Sequence, residues 1–254
     1  MIHPTAIIDP RAELGAECEI GPYCVLGPHV VLGDRCRLHS HVVIEGHTVL
    51  GRENEIYPFA SVGLKTEDLK WRGGVTWTRI GDRNTIRECV TINSATGDGE
   101  ATVIGSGNHI TSASHIGHNT VVGDGVVLAS AGLAGHVIIE DGAVVGGKSV
   151  VHQFCRVGRG AMVAGLSRVV QDVPPYMIAE GHPAVTRTIN KVGLARRGVS
   201  DAVQRALRRA YKLLFREGLS RDEALGRIAT ELPSCPELEH LVAFVRASKR
   251  GLCR

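Results

Sequence analysis

Four of the twelve histidines sit in three short phrases: His115-Ile-Gly-His118, Leu133-Ala-Gly-His136 and Val151-His152-Gln153-Phe154. Imidazole titrates at about pH 6.5, so it can take a proton from a hydroxyl near neutrality or, unprotonated, bind a metal. Two chemistries are therefore open. One is general-base activation of an alcohol. The other is a zinc centre using His115, His118 and His136, which requires all three nitrogens about 2.0–2.1 Å from one ion. A separate polar cluster, Asp68, Lys70, Trp71 and Arg72, has the composition of a functional loop. The seven cysteines (Cys18, Cys24, Cys36, Cys89, Cys155, Cys235, Cys253) form no CxxC pair, which removes a zinc knuckle or redox motif and leaves free thiols.

The element that must carry these residues is a repeat. An aliphatic residue recurs every sixth position at Ile2, Ile8, Leu14, Ile20 and so on through Ile56 and Val62. The register resumes at Ile80, Ile86 and Ile92 and again from Ile104 to Leu128; after a five-residue step it runs from Leu133 to Val169. Six is neither the period of a strand nor that of a helix. It is one flat face plus a corner, so three hexads close an 18-residue triangular coil whose aliphatics stack inward. Many are followed by glycine, which is expected to supply positive-φ corners. Cys18, Cys24, Cys36 and Cys155 share a small-residue slot four places on, while His29, His41 and His47 face outward. Only 4% of residues are aromatic against 31 glycines, as a thin interior demands. Stacked at strand spacing, residues 2 to 169 make a prism on the order of 45 Å long. Gly63 to Arg79 and Asn93 to Val103 break the register and are expected to project as loops.

Past Asp172-Val-Pro-Pro175 the hexads stop and helical signals begin. Ser200 is placed to cap a first helix, and Ser220 with Glu223 and Ser234 with Glu237 read as capping boxes for two more. Nine basic residues between Arg187 and Arg216 face a single acid, Asp201, a patch suited to steering an acidic partner. The net charge of +3 is too small to argue for nucleic acid, and no apolar run reaches the ~18 residues of a membrane span. A cytoplasmic protein is expected.

The histidine phrases, together with Gln171-Asp-Val-Pro-Pro-Tyr176, Gly193-Leu-Ala-Arg-Arg-Gly198 and a terminal Gly251-Leu, resemble the acyl-ACP:UDP-N-acetylglucosamine O-acyltransferases over essentially the whole chain. The resemblance implies a mainly β protein, with a left-handed parallel β-helix at residues 1–185 and a small helical domain at 186–254. It implies transfer of an (R)-3-hydroxyacyl group from acyl carrier protein to the 3-position of UDP-N-acetylglucosamine, the first step of lipid A biosynthesis, in a homotrimer with clefts between neighbouring prisms. His118 then corresponds to the general base and Gly135 to the oxyanion hole. Asp68, Lys70, His115, His136, His152 and Gln153 correspond to sugar, acyl or nucleotide contacts. Asn190, Arg196 and Arg197 correspond to phosphate contacts, and Gly165 to the residue setting acyl-pocket depth. No metal or cofactor is implied beyond the phosphopantetheine of acyl carrier protein, whose docking falls to the basic helices.

Relatives often carry Asp after the base and His after the Thr-Ile pair, where this chain has Asn119 and Asn93. A 3-amino acceptor is the nearest alternative. A γ-type carbonic anhydrase, a related N-acyltransferase with an extra N-terminal domain and a catalytically silent scaffold are the others.

Overall fold

The computed structural model describes all 254 residues. From Ile2 onward the chain winds as a left-handed parallel β-helix with three sheets of nine, eight and ten strands, and up to Val169 each strand pairs with the third one along the chain. Most strands are only two residues long, because each face holds one outward and one inward residue before the next corner. The inward aliphatics form the core: Leu26, Ile44, Ile56, Ile86, Ile110, Ile116 and Leu133 are at most 1% exposed. Single-residue ladders of this kind leave no room for aromatic rings, and the 40-residue cluster inside the prism contains none.

The small-residue slot holds the cysteines as expected, unpaired and buried. Burial pushes the Cys155 thiol up to about 11, so it packs as an inert small hydrophobe. The same slot also admits Asn54, Asn84 and Asn108, stacked one above another. The Asn54 Oδ1 accepts the backbone and side-chain N–H of Asn84 at 3.0 and 2.9 Å, and the Asn84 Oδ1 accepts the Asn108 N–H at 2.9 Å. Each amide therefore meets backbone donors that the corners would otherwise bury unpaired.

The role expected of glycine needs correction. Residues with left-handed φ lie three places after the aliphatic and are mostly not glycine: Glu17, Arg35, Glu53 and Arg83 have φ of 58°, 54°, 59° and 54°. The glycine directly after the aliphatic is required for another reason. A Cβ on Gly15 or Gly33 would lie 2.6 Å from the carbonyl carbon of Gly33 or Gly51 in the next coil. Close stacking, rather than a special φ, selects glycine there.

Both register breaks leave the prism at one edge. The first-sheet strands Ser61–Leu64 and Thr91–Asn93 precede them, and the chain re-enters the second sheet only at Trp77–Ile80 and Ala101–Ile104. The five-residue step is absorbed at another corner, where Ser130 takes φ 49° and its N–H donates to Thr111 Oγ1.

Beyond Val169 the strand Met177–Gly181 extends the third sheet and turns back antiparallel as Ala184–Ile189, a hairpin the hexad pattern did not announce. The division expected at 185/186 falls inside that last strand, and helices begin at Lys191. They are α1 (Lys191–Arg196), α2 (Asp201–Phe215), α3 (Arg221–Glu231) and α4 (Pro236–Ala247). Ser200 caps α2, and Ser220 with Glu223 forms the capping box of α3. The box expected at Ser234 and Glu237 does not form: Cys235 is the N-cap without a side-chain bond, Pro236 opens the helix, and Ser234 bonds Glu239 instead. The short α1 was not expected either. The helices bury Leu207, Leu213, Leu241 and Phe244 together with Tyr176 and Met177 of the last coil, and His240 reaches Glu140 at 2.7 Å, so the tail is packed onto the prism.

Two alanine substitutions separate stacking from propensity. Gly33→Ala should lower stability by about 1–3 kcal/mol through forced overpacking. Gly226→Ala in α3, with nothing within 4 Å of the added methyl, should raise it by about 0.5–1 kcal/mol. Thermal or denaturant unfolding of the two variants reads both signs.

Candidate active site

The edge from which the two loops emerge also carries the histidine phrases. His118, Gly135 and Gln153 lie two places past the stacked aliphatics Ile116, Leu133 and Val151, and so form one column. Asn119, His136 and Phe154 lie one place further, with left-handed φ of 59°, 59° and 64°, and form the next. The imidazole of His118 rests against the backbone of Gly135, where any Cβ would sit 2.3 Å from Nε2. The ring of His136 stands edge-on to it, centroids 5.2 Å apart at 89°, and stacks in turn on Phe154 at 4.7 Å.

Hydrogen bonds decide the state of His118. The Asn119 side-chain oxygen accepts the backbone N–H of Thr96 at 3.0 Å, which fixes the orientation of that amide. The same oxygen lies 3.0 Å from Nδ1 of His118, so the neutral ring must carry its proton on Nδ1 and donate it. Nε2 is left as a free base above Gly135. Thr96 Oγ1 is 3.1 Å from the same Nδ1 and 2.8 Å from Thr66 Oγ1, tying both loops to the ring.

Other groups converge here. His115 bonds Thr91 Oγ1 at 2.8 Å and lies 3.4 Å from Glu67. Asp68 and Lys70 come from the first loop. The Lys70 backbone N–H bonded to Asp68 holds that carboxyl below the usual range, and the charges of His118, Lys70 and His136 lower it further. Burial, reinforced by the charge of His118, pushes the His136 imidazole below its ordinary value and favours its neutral form. Beside these rings runs an open groove of about 620 Å³ with Val121, Ile138 and Phe154 on its apolar side and Arg156, Lys249 and Arg250 on its polar side.

The Gly135 N–H has no hydrogen-bond partner in the chain. At the edge after the second sheet the equivalent amides are closed off by an aspartate of the next coil: Ala16 by Asp34, Arg52 by Asp82 and Ser106 by Asp124. No side chain closes off Gly135.

The remaining expected residues are spread more widely. His152 and Gln153 are exposed on the same edge, next to Phe154. Gly165 is on the edge after the third sheet, over Gly147. Arg197 lies against the edge after the second sheet, donating to the Gly142 carbonyl, and Arg196 is exposed at the end of α1. Asn190 beside them is only 7% exposed and engaged at both ends of its amide, accepting from Gly193 to cap α1 and donating to the Gly160 carbonyl. One chain thus distributes the set over all three edges. No group of three or more His, Cys, Asp or Glu side chains is arranged to hold a metal ion. Thr96, Thr66 and the orientation of Asn119 escaped the sequence, since threonine in a loop carries no signal by type. The placement of both loops after first-sheet aliphatics was the available clue.

The model of the UDP-N-acetylglucosamine O-acyltransferase second domain matches residues 172–253, and that of the bacterial transferase hexapeptide matches residues 1–34. An acyl-[acyl-carrier-protein]–UDP-N-acetylglucosamine O-acyltransferase of Thermodesulfovibrio yellowstonii is 48% identical over 100% of this chain and 99% of its own length. The crystal structure of a UDP-N-acetylglucosamine acyltransferase from Bacteroides fragilis superposes with a TM-score of 0.97 at 38% identity, covering 100% of both chains. That of the UDP-N-acetylglucosamine O-acyltransferase from Moraxella catarrhalis gives 0.95 at 44% identity, covering 100% of this chain and 99% of the other. With a full-length relative at this identity and a shared architecture from first coil to last helix, the chain belongs to the family of acyl-ACP–UDP-N-acetylglucosamine O-acyltransferases.

Proposed function

We propose that this chain transfers an (R)-3-hydroxyacyl group from acyl carrier protein to the 3-position of UDP-N-acetylglucosamine, the first step of lipid A biosynthesis, with His118 as general base. The observation that carries the assignment is the unprotonated Nε2 of His118 held beside the unpartnered N–H of Gly135. The sugar oxygen attacks the thioester carbonyl carbon as its proton passes to Nε2, a form of assistance worth about 10²–10⁴ in rate. The carbonyl oxygen takes the negative charge and accepts a hydrogen bond from Gly135, an interaction of a kind worth about 10²–10³. When the C–S bond breaks, the imidazolium returns the proton to the departing thiolate of phosphopantetheine.

Asp68, Lys70, His115, His136, His152 and Gln153 surround this point along one edge and would hold sugar, nucleotide or acyl groups. Asn190, Arg196, Arg197 and Gly165 reach the same substrates only if other copies bring their own edges to this one. A homotrimer satisfies that geometry, and the exposed Val121, Ile138, Val150, Met162 and Leu166 provide apolar surface for acyl chain and neighbour to cover. Lys191, Arg196, Arg205, Arg208 and Lys212 form no ion pair, whereas Arg209 is neutralised by Glu217 and Glu231. These five free cations form the docking surface for acidic acyl carrier protein. The prism carries the chemistry and the helical tail the docking, so we treat them as two domains. No helix is long and apolar enough to cross a membrane. A cytoplasmic location completes the proposal, because donor and acceptor both ride on water-soluble carriers.

His118→Ala should lower turnover of 3-hydroxyacyl-ACP with UDP-N-acetylglucosamine at least about 100-fold without changing the melting temperature; unchanged turnover, followed by product mass spectrometry, would reject the base. Sedimentation should give a trimer. Co-expressed His118→Ala and Arg197→Ala chains, each inactive alone, should recover activity in mixed oligomers, and a monomeric active enzyme would refute the shared cleft.

A further inference from the structure

The base is joined to a carboxylate through a neutral intermediary. The Asn119 side chain accepts from His118 Nδ1 with its oxygen and donates from Nδ2 to Glu100 Oε2 at 2.6 Å. Glu100 lies on the second loop, where the same oxygen accepts the Gly97 N–H at 2.9 Å, and its backbone is held by Trp77 N–H at 2.9 Å. The donor and acceptor directions along this line are all fixed. A carboxylate can only accept, so the Asn119 nitrogen must face Glu100, which agrees with the Thr96 N–H holding the Asn119 oxygen toward the imidazole.

A base that takes up a proton becomes a cation, and a neutral amide oxygen alone does little to stabilise it. A carboxylate behind the amide polarises it: negative charge on Glu100 draws the Nδ2 protons and makes the Asn119 oxygen a better acceptor from Nδ1. We propose that Glu100 is a positioning residue for the transfer reaction, acting through Asn119 to fix the His118 tautomer and to stabilise the imidazolium as the sugar proton arrives. The inference rests on His118 being the base. Other charged groups near the ring are Asp68 and Lys70 from the first loop and His136 from the next coil, and none of them bonds Asn119. Glu100 alone is joined to the nitrogen opposite the reacting one.

Glu100→Gln keeps the shape of the side chain and one oxygen to accept from Asn119 and Gly97, and removes the charge. It should lower kcat about tenfold, the loss of one hydrogen bond strengthened by charge. It should also move the acid limb of the kcat/KM profile down by about 0.5–1 pH unit, because the base is easier to deprotonate once the carboxylate is gone. KM for UDP-N-acetylglucosamine should stay unchanged. The double variant Glu100→Gln/Asn119→Asp moves the negative charge one link closer to the imidazole and should restore both kcat and the acid limb. A Glu100→Gln enzyme with wild-type kcat and pH profile overturns the inference. So does a loss of rate with an unmoved acid limb that the double variant fails to recover, since that pattern describes loop structure alone. Full activity of His118→Ala would instead sink the base assignment itself, so the two failures are told apart.

Discussion

Residues one coil apart lie on top of each other at the spacing of paired strands, about 4.8 Å, and this stacking governs everything else in the molecule. It forces each inward position to repeat a side chain of similar width, so the core is a set of aliphatic ladders and no aromatic ring enters it. It requires glycine where the backbone of the next coil presses closest, and it holds glutamate, arginine and even histidine in left-handed corners that cost an isolated residue about 1–2 kcal/mol. A corner conformation repeated on three edges is over-determined by the coils above and below it.

The same stacking makes the chemistry. His118 and Gly135 are distant in a linear reading but neighbours in a column, and the absence of a side chain at Gly135 is what lets the imidazole lie over a free amide N–H. At the edge after the second sheet such amides are closed by an aspartate from the next coil at Ala16, Arg52 and Ser106. At Gly135 that closure is missing, in the column that carries the base. His118 and Gln153 in the same column also keep their N–H groups free, so the reactive point comes from the imidazole laid over the Gly135 amide rather than from the missing contact alone.

Hexads are legible because one period fixes both the face and the inward direction of every sixth residue, and the aliphatic positions from Ile2 to Val169 follow it to the strand. The histidine phrases could be placed on one edge by counting from Ile116, Leu133 and Val151. What could not be counted was anything depending on loop conformation or amide orientation: Thr96 against Nδ1, the direction of Asn119, and Glu100 behind it. The bonds of Thr96 and Glu100 join residues about 20 apart through segments that break the period. The Asn54–Asn84–Asn108 ladder was missed for a different reason. Asparagine in a buried slot looks like an interruption until its amide is seen to meet the corner N–H groups of the next coil. Ser234 failed as a cap because Pro236 set the first turn one residue later than the pattern implied.

A triangular prism is convex, and binding sites for small molecules are concave. Coils alone can offer a substrate a flat face or an edge, never a cleft that excludes water. The two loops leaving the edge of His118 raise one wall, bringing Asp68, Lys70 and the Thr66–Thr96 contact around the imidazole. The opposite side stays open as a groove bordered by Val121, Ile138 and Phe154, surface that a chain working by itself would gain nothing from exposing. In the homotrimer proposed above, a second prism laid beside the first closes that groove. Three-fold arrangement is the simplest closed way for identical prisms to present different edges to one another, since each contributes one edge to one cleft and another edge to the next. In that proposed assembly the distribution of Asn190, Arg197 and Gly165 over other edges has a use: the open groove of one chain becomes a closed cleft when the edge of another lies against it.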